Sequence, residues 1–311
     1  MTCSLPRQRR QRLSFKAFIM TNLLFHPITL DETEHFYHMW NLTLERAMTY
    51  SMVTLWGWRA YNELEWAFDG NLCWIRPTKF EPNLFWAPVG DWEKADWGSL
   101  LQSGMKFICV PEKLEAIWRE QLGGRIQSEE DRGQFEYVYN TSDLASLKGN
   151  RYHKKKNHLQ AYRKAYGEPD YRPMSDAIIE DCLALQDTWC QWNDCAAEET
   201  LAAENYSLNL LLTHYDRFRY LCGGALYIND EIVAFSIGEK LDDETMGVHY
   251  EKGMSSVRGV YQAINWAFVT NECRDVAYVN RAEDMDDEGL RQAKLSYHPS
   301  SFLKKYTVVI A

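Results

Sequence analysis

Residues 219–250 read RYLCGGALYINDEIVAFSIGEKLDDETMGVHY. Arg219–Ile228 and Ile232–Lys240 are runs rich in β-branched and aromatic side chains, parted by Asn229-Asp230, residues that tolerate the left-handed backbone of a tight turn. Asp242-Asp243-Glu244 makes a second turn, and Met246–Tyr250 a third strand. Strands joined this closely form an antiparallel meander. Lys252–Gly259 then reads as a loop, Val260–Thr270 as a helix, Ala277–Asn280 as a strand and 287–296 as another helix.

The same order of elements stands earlier in the chain. After a helical stretch near 31–40, Leu64–Phe68, the turn Asp69-Gly70-Asn71 and Leu72–Arg76 form a hairpin, and Asn83–Val89 adds a third strand. A helix is expected over 91–103 with Asp91 as its N-cap. Lys106–Val110 follows as a strand, and Pro111 occupies the first turn of a helix to about 121. Gln134–Tyr139 is a further strand, and two long helices, 175–192 and 196–213, precede the second meander. Two rounds of meander, helix, strand and helix predict an α+β fold made by duplication. The predicted layout is a disordered basic tail over 1–20, a first unit over 21–147 and a second over 148–311 that carries the site.

Composition narrows the function. The chain has 311 residues, 46% hydrophobic and 25% charged, with Trp 12, Tyr 18 and Phe 13, so it can build a large core and still line a pocket with rings. Its net charge of -10 opposes a general nucleic-acid coat. Residues 1–20 hold Arg7, Arg9, Arg10, Arg12 and Lys16 and no acid. No stretch reaches the ~20 apolar residues of a membrane span. Lys16 interrupts Leu13–Met20, so the start is a poor secretory signal and a cytoplasmic location is expected. The eight cysteines contain no C-x-x-C pair and are expected as free thiols, Cys190 and Cys195 being the only close pair.

Common catalytic signatures are absent: no G-x-S-x-G, no Walker A, no G-x-G-x-x-G and no H-E-x-x-H. His35 and His38 lack a third ligand and read as ordinary helix residues, so no metal site is expected. Three segments remain. From 148 to 164 there are seven Lys or Arg and no acid, and Tyr152, Lys155, Lys156, Leu159, Tyr162, Arg163 and Tyr166 share a broad helical face. Bases interleaved with rings suit a phosphate-bearing ligand; the competing reading is a solvated basic helix whose rings pack on the core. Next come Tyr250-Glu251-Lys252-Gly253 and Arg258-Gly259-Val260-Tyr261, a strand, a loop and a helix start whose free N–H groups can receive an anion. The third segment, 280–299, places five acids among residues 283–288 before a helix, and sets Lys294 in a stripe with Leu290, Ala293 and Tyr297. A lysine there must snorkel, pair with an acid or serve a site.

The run Tyr152 to His158, the segment Tyr261-Gln262-Ala263-Ile264-Asn265, and Asn280 to Asp284 with Gly289 to Pro299 together resemble the DUF2156 family, which is similar to the C-terminal catalytic domain of phosphatidylglycerol lysyltransferases. The resemblance runs from about residue 30 to the C-terminus. It implies two tandem Gcn5-like (GNAT-like) acyltransferase domains, related to Fem-type peptidyltransferases that take an aminoacyl group from tRNA. Leu290, Arg291, Lys294, Tyr297 and Pro299 match a C-terminal pattern of the lysyltransferases, and Lys305-Tyr306 a later Lys-Tyr pair, while Ala282 stands where many relatives carry a second Glu. The implied activity is aminoacyl transfer from charged tRNA, without a further cofactor, to a lipid or small-molecule hydroxyl or amine, with peripheral membrane contact. Lys154, Lys155, Lys156 and Arg163 would hold phosphates. Arg281 or Arg291 would position an anion or counter developing charge. Glu283 or Asp284 would recognise an α-amino group or act as base, and Lys294 and Tyr297 would complete the pocket. Tyr152, Tyr250, Glu251, Lys252, Arg258, Tyr261 and Lys305 are the other expected substrate contacts. The alternatives are a CoA-dependent N-acyltransferase using the loop 252–259, and a non-catalytic ligand-binding module on the same fold.

Overall fold

The computed structural model describes residues 23–311, so the basic tail expected over 1–20 lies outside the described residues. The fold is α+β. The meander read from residues 219–250 forms the middle of a seven-stranded sheet: Leu221–Ile228, Glu231–Lys240 and Thr245–Gly253 pair antiparallel in that order. Asp170–Pro173 flanks the first of them, and the short strand Tyr278–Asn280 joins the last in parallel. Helix Val260–Glu272 buries Val260, Ala263, Ile264, Ala267 and Phe268 against one face, and helices Asp176–Asn193 and Glu199–Thr213 cover the other.

The sheets do not divide at residue 147. Glu136–Asn140, from the first half of the chain, pairs with Tyr278–Asn280 and with Ser301–Leu303 inside the seven-stranded sheet. In return the last strand, Lys305–Ile310, lies between Lys106–Pro111 and Ile126–Glu130 in a four-stranded sheet of first-half strands. Each half therefore donates a strand to the other. The largest apolar cluster is continuous across them, from Phe36 and Trp40 through Trp74 and Trp118 to Leu208, Tyr250 and Ile310. A third sheet contains the hairpin Leu64–Asp69 and Leu72–Pro77, closed by the register Asp69↔Leu72.

Some expectations fail locally. The helix expected over 91–103 shrinks to Trp97–Leu100, because Asp96 is the cap and accepts from the Ser99 amide at 3.2 Å; Asp91 binds Lys94 at 2.8 Å instead. The strand expected over 83–89 divides into Leu84–Trp86 and Val89–Gly90, which join different sheets on either side of Pro88, a residue with no amide proton to offer a ladder. Helix Met52–Asn62 and the strands Ile126–Glu130, Ser301–Leu303 and Lys305–Ile310 lie outside the elements expected from the sequence. Cys190 and Cys195, expected as thiols, form a disulfide, their Cα atoms 5.0 Å apart across the turn between two helices.

Two irregularities shape the site. Ile237 faces Tyr250 while Gly238 faces Val248, so His249 is an extra, bulged residue that bends its strand. The parallel pairing with Tyr278–Asn280 ends at Gly247↔Asn280, and the two strands then part. Gly259 begins the helix Val260–Glu272 at φ +78, and a Cβ there would sit 2.4 Å from the His158 carbonyl oxygen. That close approach seats the basic helix His153–Tyr166 against the loop before Val260.

Candidate active site where two strands part

Successive side chains on a strand point to opposite faces, and this divides the segment 250–252. Tyr250 and Lys252 face the helical hairpin: the Tyr250 hydroxyl lies 2.7 Å from Ser207 Oγ, and Lys252 Nζ donates to Glu204 at 2.6 Å and lies 3.8 Å from the Trp189 ring centre. Glu251 faces the other way, into the gap between the parted strands. There it accepts from Arg281 at 3.2 Å and from Asn265 Nδ2 at 3.4 Å.

Arg281 and Lys155 converge on one ring. The guanidinium carbon lies 4.9 Å, and Lys155 Nζ 4.0 Å, from the centre of Tyr297. Three segments far apart in sequence thus bring two cations, one carboxylate and one phenol together. Burial, reinforced by the Arg281 charge, lowers the Lys155 amine to about 8. Burial raises Glu251 above the ordinary carboxylate value against the opposing pull of Arg281. Tyr297 is pushed up to about 12, again by burial. Two cations on one carboxylate leave the cluster cationic, as an anion site requires.

Residues 281–287 form a pinned loop with Ala282, Met285 and Asp286 at positive φ. Lys294, expected as a pocket residue, turns inward. Its Nζ donates to the carbonyls of Arg281 and of Glu283, the latter at 2.6 Å, and its own carbonyl accepts from the Tyr139 hydroxyl at 2.9 Å. Burial lowers this amine also to about 8. Asp284 is fully buried and accepts from Arg291 at 2.9 and 2.8 Å, Arg132 at 3.0 Å, the Tyr137 hydroxyl at 2.5 Å and the Asp286 amide at 3.0 Å. Burial alone would raise its pKa; these donors, Arg291 foremost, outweigh that and hold it well below the carboxylate range. Asp284 and Arg291 are occupied with each other and with Arg132, Tyr137 and Asp286, while Lys294 alone holds the carbonyls of Arg281 and Glu283.

Lys305 is fully buried, 2.7 Å from Glu136 Oε1 and hydrogen-bonded to Thr49. Glu136 also accepts from the Met48 and Thr49 amides and from Asn280 at 2.6 Å, so this ion pair ties the exchanged last strand to the seven-stranded sheet. Glu283 stands 3.8 Å from Lys305 on its edge. Lys154 and Lys156 are exposed beside Lys155, while Arg163 pairs with Glu168 at 2.9 Å over the Trp266 ring. Tyr152 is buried edge-on to His298. The Arg258 amide approaches the Tyr166 hydroxyl at 3.4 Å, and Tyr261 bonds the Gly253 carbonyl at 3.2 Å. Asn265 is the contact that reading for charge passes over; it lay within a quoted segment as an uncharged residue on a buried helix face.

A family model described as "Phosphatidylglycerol lysyltransferase, C-terminal" matches residues 40–309. The chain belongs to this family. The resemblance read from the three segments is thereby shown, and the matched span contains the positions of the cluster just described. A crystal structure of a conserved protein of unknown function from Bacteroides thetaiotaomicron is 31% identical, covers 93% of this chain and 100% of its own, and superposes with a TM-score of 0.82. The C-terminal DUF2156 domain of a protein from Agrobacterium fabrum assigned as a lysylphosphatidylglycerol synthetase shares the fold, with a TM-score of 0.59 at 11% identity over 89% of this chain and 92% of that one. An uncharacterized protein of Mycoplasmoides gallisepticum is 25% identical over 210 residues, 64% of this chain and 67% of its own. Among the described residues no helix is long and apolar enough to cross a membrane.

Proposed function

We propose that this chain transfers an aminoacyl group from charged tRNA to a hydroxyl or amine of a lipid or small-molecule acceptor, on two interlocked acyltransferase-like units. The observation that carries the reading is the convergence of Glu251, Arg281 and Lys155 around Tyr297 in the gap between the parted strands. Family membership supports the reaction class, and the synthetase assignment of the Agrobacterium relative supports a lipid acceptor.

The donor is an ester and is already activated, so direct displacement suffices. The acceptor oxygen or nitrogen forms a bond to the ester carbonyl carbon, the bond to the ribose oxygen breaks, and the acceptor's proton ends on that oxygen. Arg281 counters charge on the carbonyl oxygen in the transition state. Glu251 orients Arg281 and, raised by burial, takes the acceptor's proton and passes it to the departing ribose oxygen. Lys155, with Lys154 and Lys156 exposed beside it, holds a phosphate. Asp284, Arg291 and Lys294 act through the loop, keeping Arg281 in place.

One feature favours a second reading, a CoA-dependent acyltransferase. Helix Val260–Glu272 starts at a left-handed Gly259 without a side-chain cap, leaving N–H groups for a pyrophosphate. Radiolabelled aminoacyl-tRNAs, incubated with the protein and a lipid and small-molecule extract, test the first reading. A labelled product that disappears with Arg281→Ala supports it. Turnover of acetyl-CoA without any response to charged tRNA would replace it with the second.

A further inference from the structure

The turn between helices Asp176–Asn193 and Glu199–Thr213 holds the one disulfide among the described cysteines; the other five are free, four of them buried. Cys190 is partly exposed in the last turn of the first helix, and Cys195 opens the short turn Cys195–Ala197. Cys195 is buried at 4% exposure, so a small reductant meets the bond at the partly exposed Cys190.

The turn is acidic. Asp194 turns the chain in the left-handed region at φ 48, a conformation that Asp tolerates. From Pro173 to Asp216 the chain carries no Lys or Arg; of the acids near the tip, Glu199 pairs with Lys79 at 3.0 Å, while Asp187, Asp194 and Glu198 are exposed. Like charges there push the helix ends apart, and the disulfide opposes that push.

The same hairpin grips the strand of the candidate site. One turn before Cys190, buried Gln186 donates to Asn205 Oδ1 of the second helix at 3.0 Å. Trp189 of the first helix and Glu204 of the second both hold Lys252. Lys252 is the neighbour of Glu251 on the strand Thr245–Gly253.

We propose that Cys190–Cys195 is a redox latch that sets how firmly the helical hairpin holds Lys252 and, through it, the strand bearing Glu251. A dithiol reductant opens it. One reductant thiolate attacks a protein sulfur to give a mixed disulfide, and the second thiol resolves it. Two electrons and two protons pass to Cys190 and Cys195, which become thiols, and the reductant closes to its own disulfide. The latch stands on the hairpin alone; its effect on transfer rests on the reading of Glu251 and Arg281 given above.

The test is amide hydrogen exchange on the full chain, oxidised and then reduced with dithiothreitol, with alkylation and mass measurement counting thiols. Reduction is expected to expose two further thiols. It should speed exchange over residues 187–199 about tenfold and over 245–253 severalfold, without change in Lys106–Pro111. A Cys190→Ser, Cys195→Ser double variant should match the reduced protein under both conditions. Equal exchange in oxidised and reduced wild type overturns the latch, as does failure of the two thiols to pair under a mild oxidant. Faster exchange in the hairpin alone overturns the coupling to the site strand. If exchange responds at both places but no transfer is detected in either state, the latch stands and the aminoacyl-transfer reading falls.

Discussion

Glu251 and Arg281 meet at 3.2 Å across the gap that opens where strand Thr245–Gly253 leaves its parallel neighbour. Neither residue touches the other's strand ladder, so the ion pair spans a space the backbone has vacated. Glu251→Gln keeps the shape and the Asn265 contact but removes the charge. The proposed role predicts a fall in kcat/KM of about 10²–10³-fold for this variant and for Arg281→Ala, with near-native circular dichroism. Full activity in either variant would remove the pair from the mechanism.

Lys155 titrates near 8 because burial and Arg281 disfavour its charge. If its ammonium holds a phosphate, KM for the phosphate-bearing substrate rises as pH climbs through about 8. Lys155→Arg, whose charge persists, should move that limb to higher pH. Stability runs in the other direction. The folded pKa lies below the unfolded lysine value of ~10.4, so the cost of burying the charge is fully present below about 8 and is relieved between 8 and ~10.4. A pH series of KM values and of denaturant midpoints checks both signs.

The Lys305–Glu136 pair is fully buried on both sides. Lys305→Met strands the carboxylate and should lower the unfolding free energy by about 3–5 kcal/mol. Lys305→Met with Glu136→Leu should recover much of that loss. Burial raises the Glu136 pKa, but Lys305, Asn280 and the Met48 amide overcome it and hold the group below its ordinary value. Its contribution is therefore present above the unfolded carboxylate pKa and is lost as pH falls through the folded one. Urea titrations of both variants at neutral and acid pH measure this.

Gly259→Val should separate the basic helix from the site. The position requires φ +78, and its Cβ would meet the His158 carbonyl oxygen and the Tyr162 side chain. The expected outcome is a loss of about 1–3 kcal/mol and weaker phosphate binding at Lys155, read by denaturation and by titration with inorganic phosphate. A variant that binds phosphate as wild type does would show that Lys155 acts independently of this contact.

Much of the architecture was legible. The turns at Asn229-Asp230 and Asp69-Gly70-Asn71 and the alternation of the flanking runs gave both meanders, because tight turns and two-residue periodicity are local properties. Lys305–Ile310 was not legible: its partners, Lys106–Pro111 and Ile126–Glu130, lie about 180–200 residues earlier, and pairing at that distance leaves no local mark. Lys294 shows the same limit in the site. Its place in an apolar stripe marked it as unusual, but only the folded chain brings the carbonyls of residues 281 and 283 to its amine.

The sequence by itself determined the α+β meanders, the basic helix, the family, and three of the residues that meet at Tyr297. Tertiary structure decided the rest. Strand alternation turned Glu251 toward Arg281 and Lys252 away from it, strand exchange buried Lys305 beside Glu136, and the loop bonds occupied Asp284 and Arg291. The physical reason is range. Periodicity, turns and charge runs are written within a few residues, whereas the partner that satisfies a buried charge is chosen by which distant strands lie side by side.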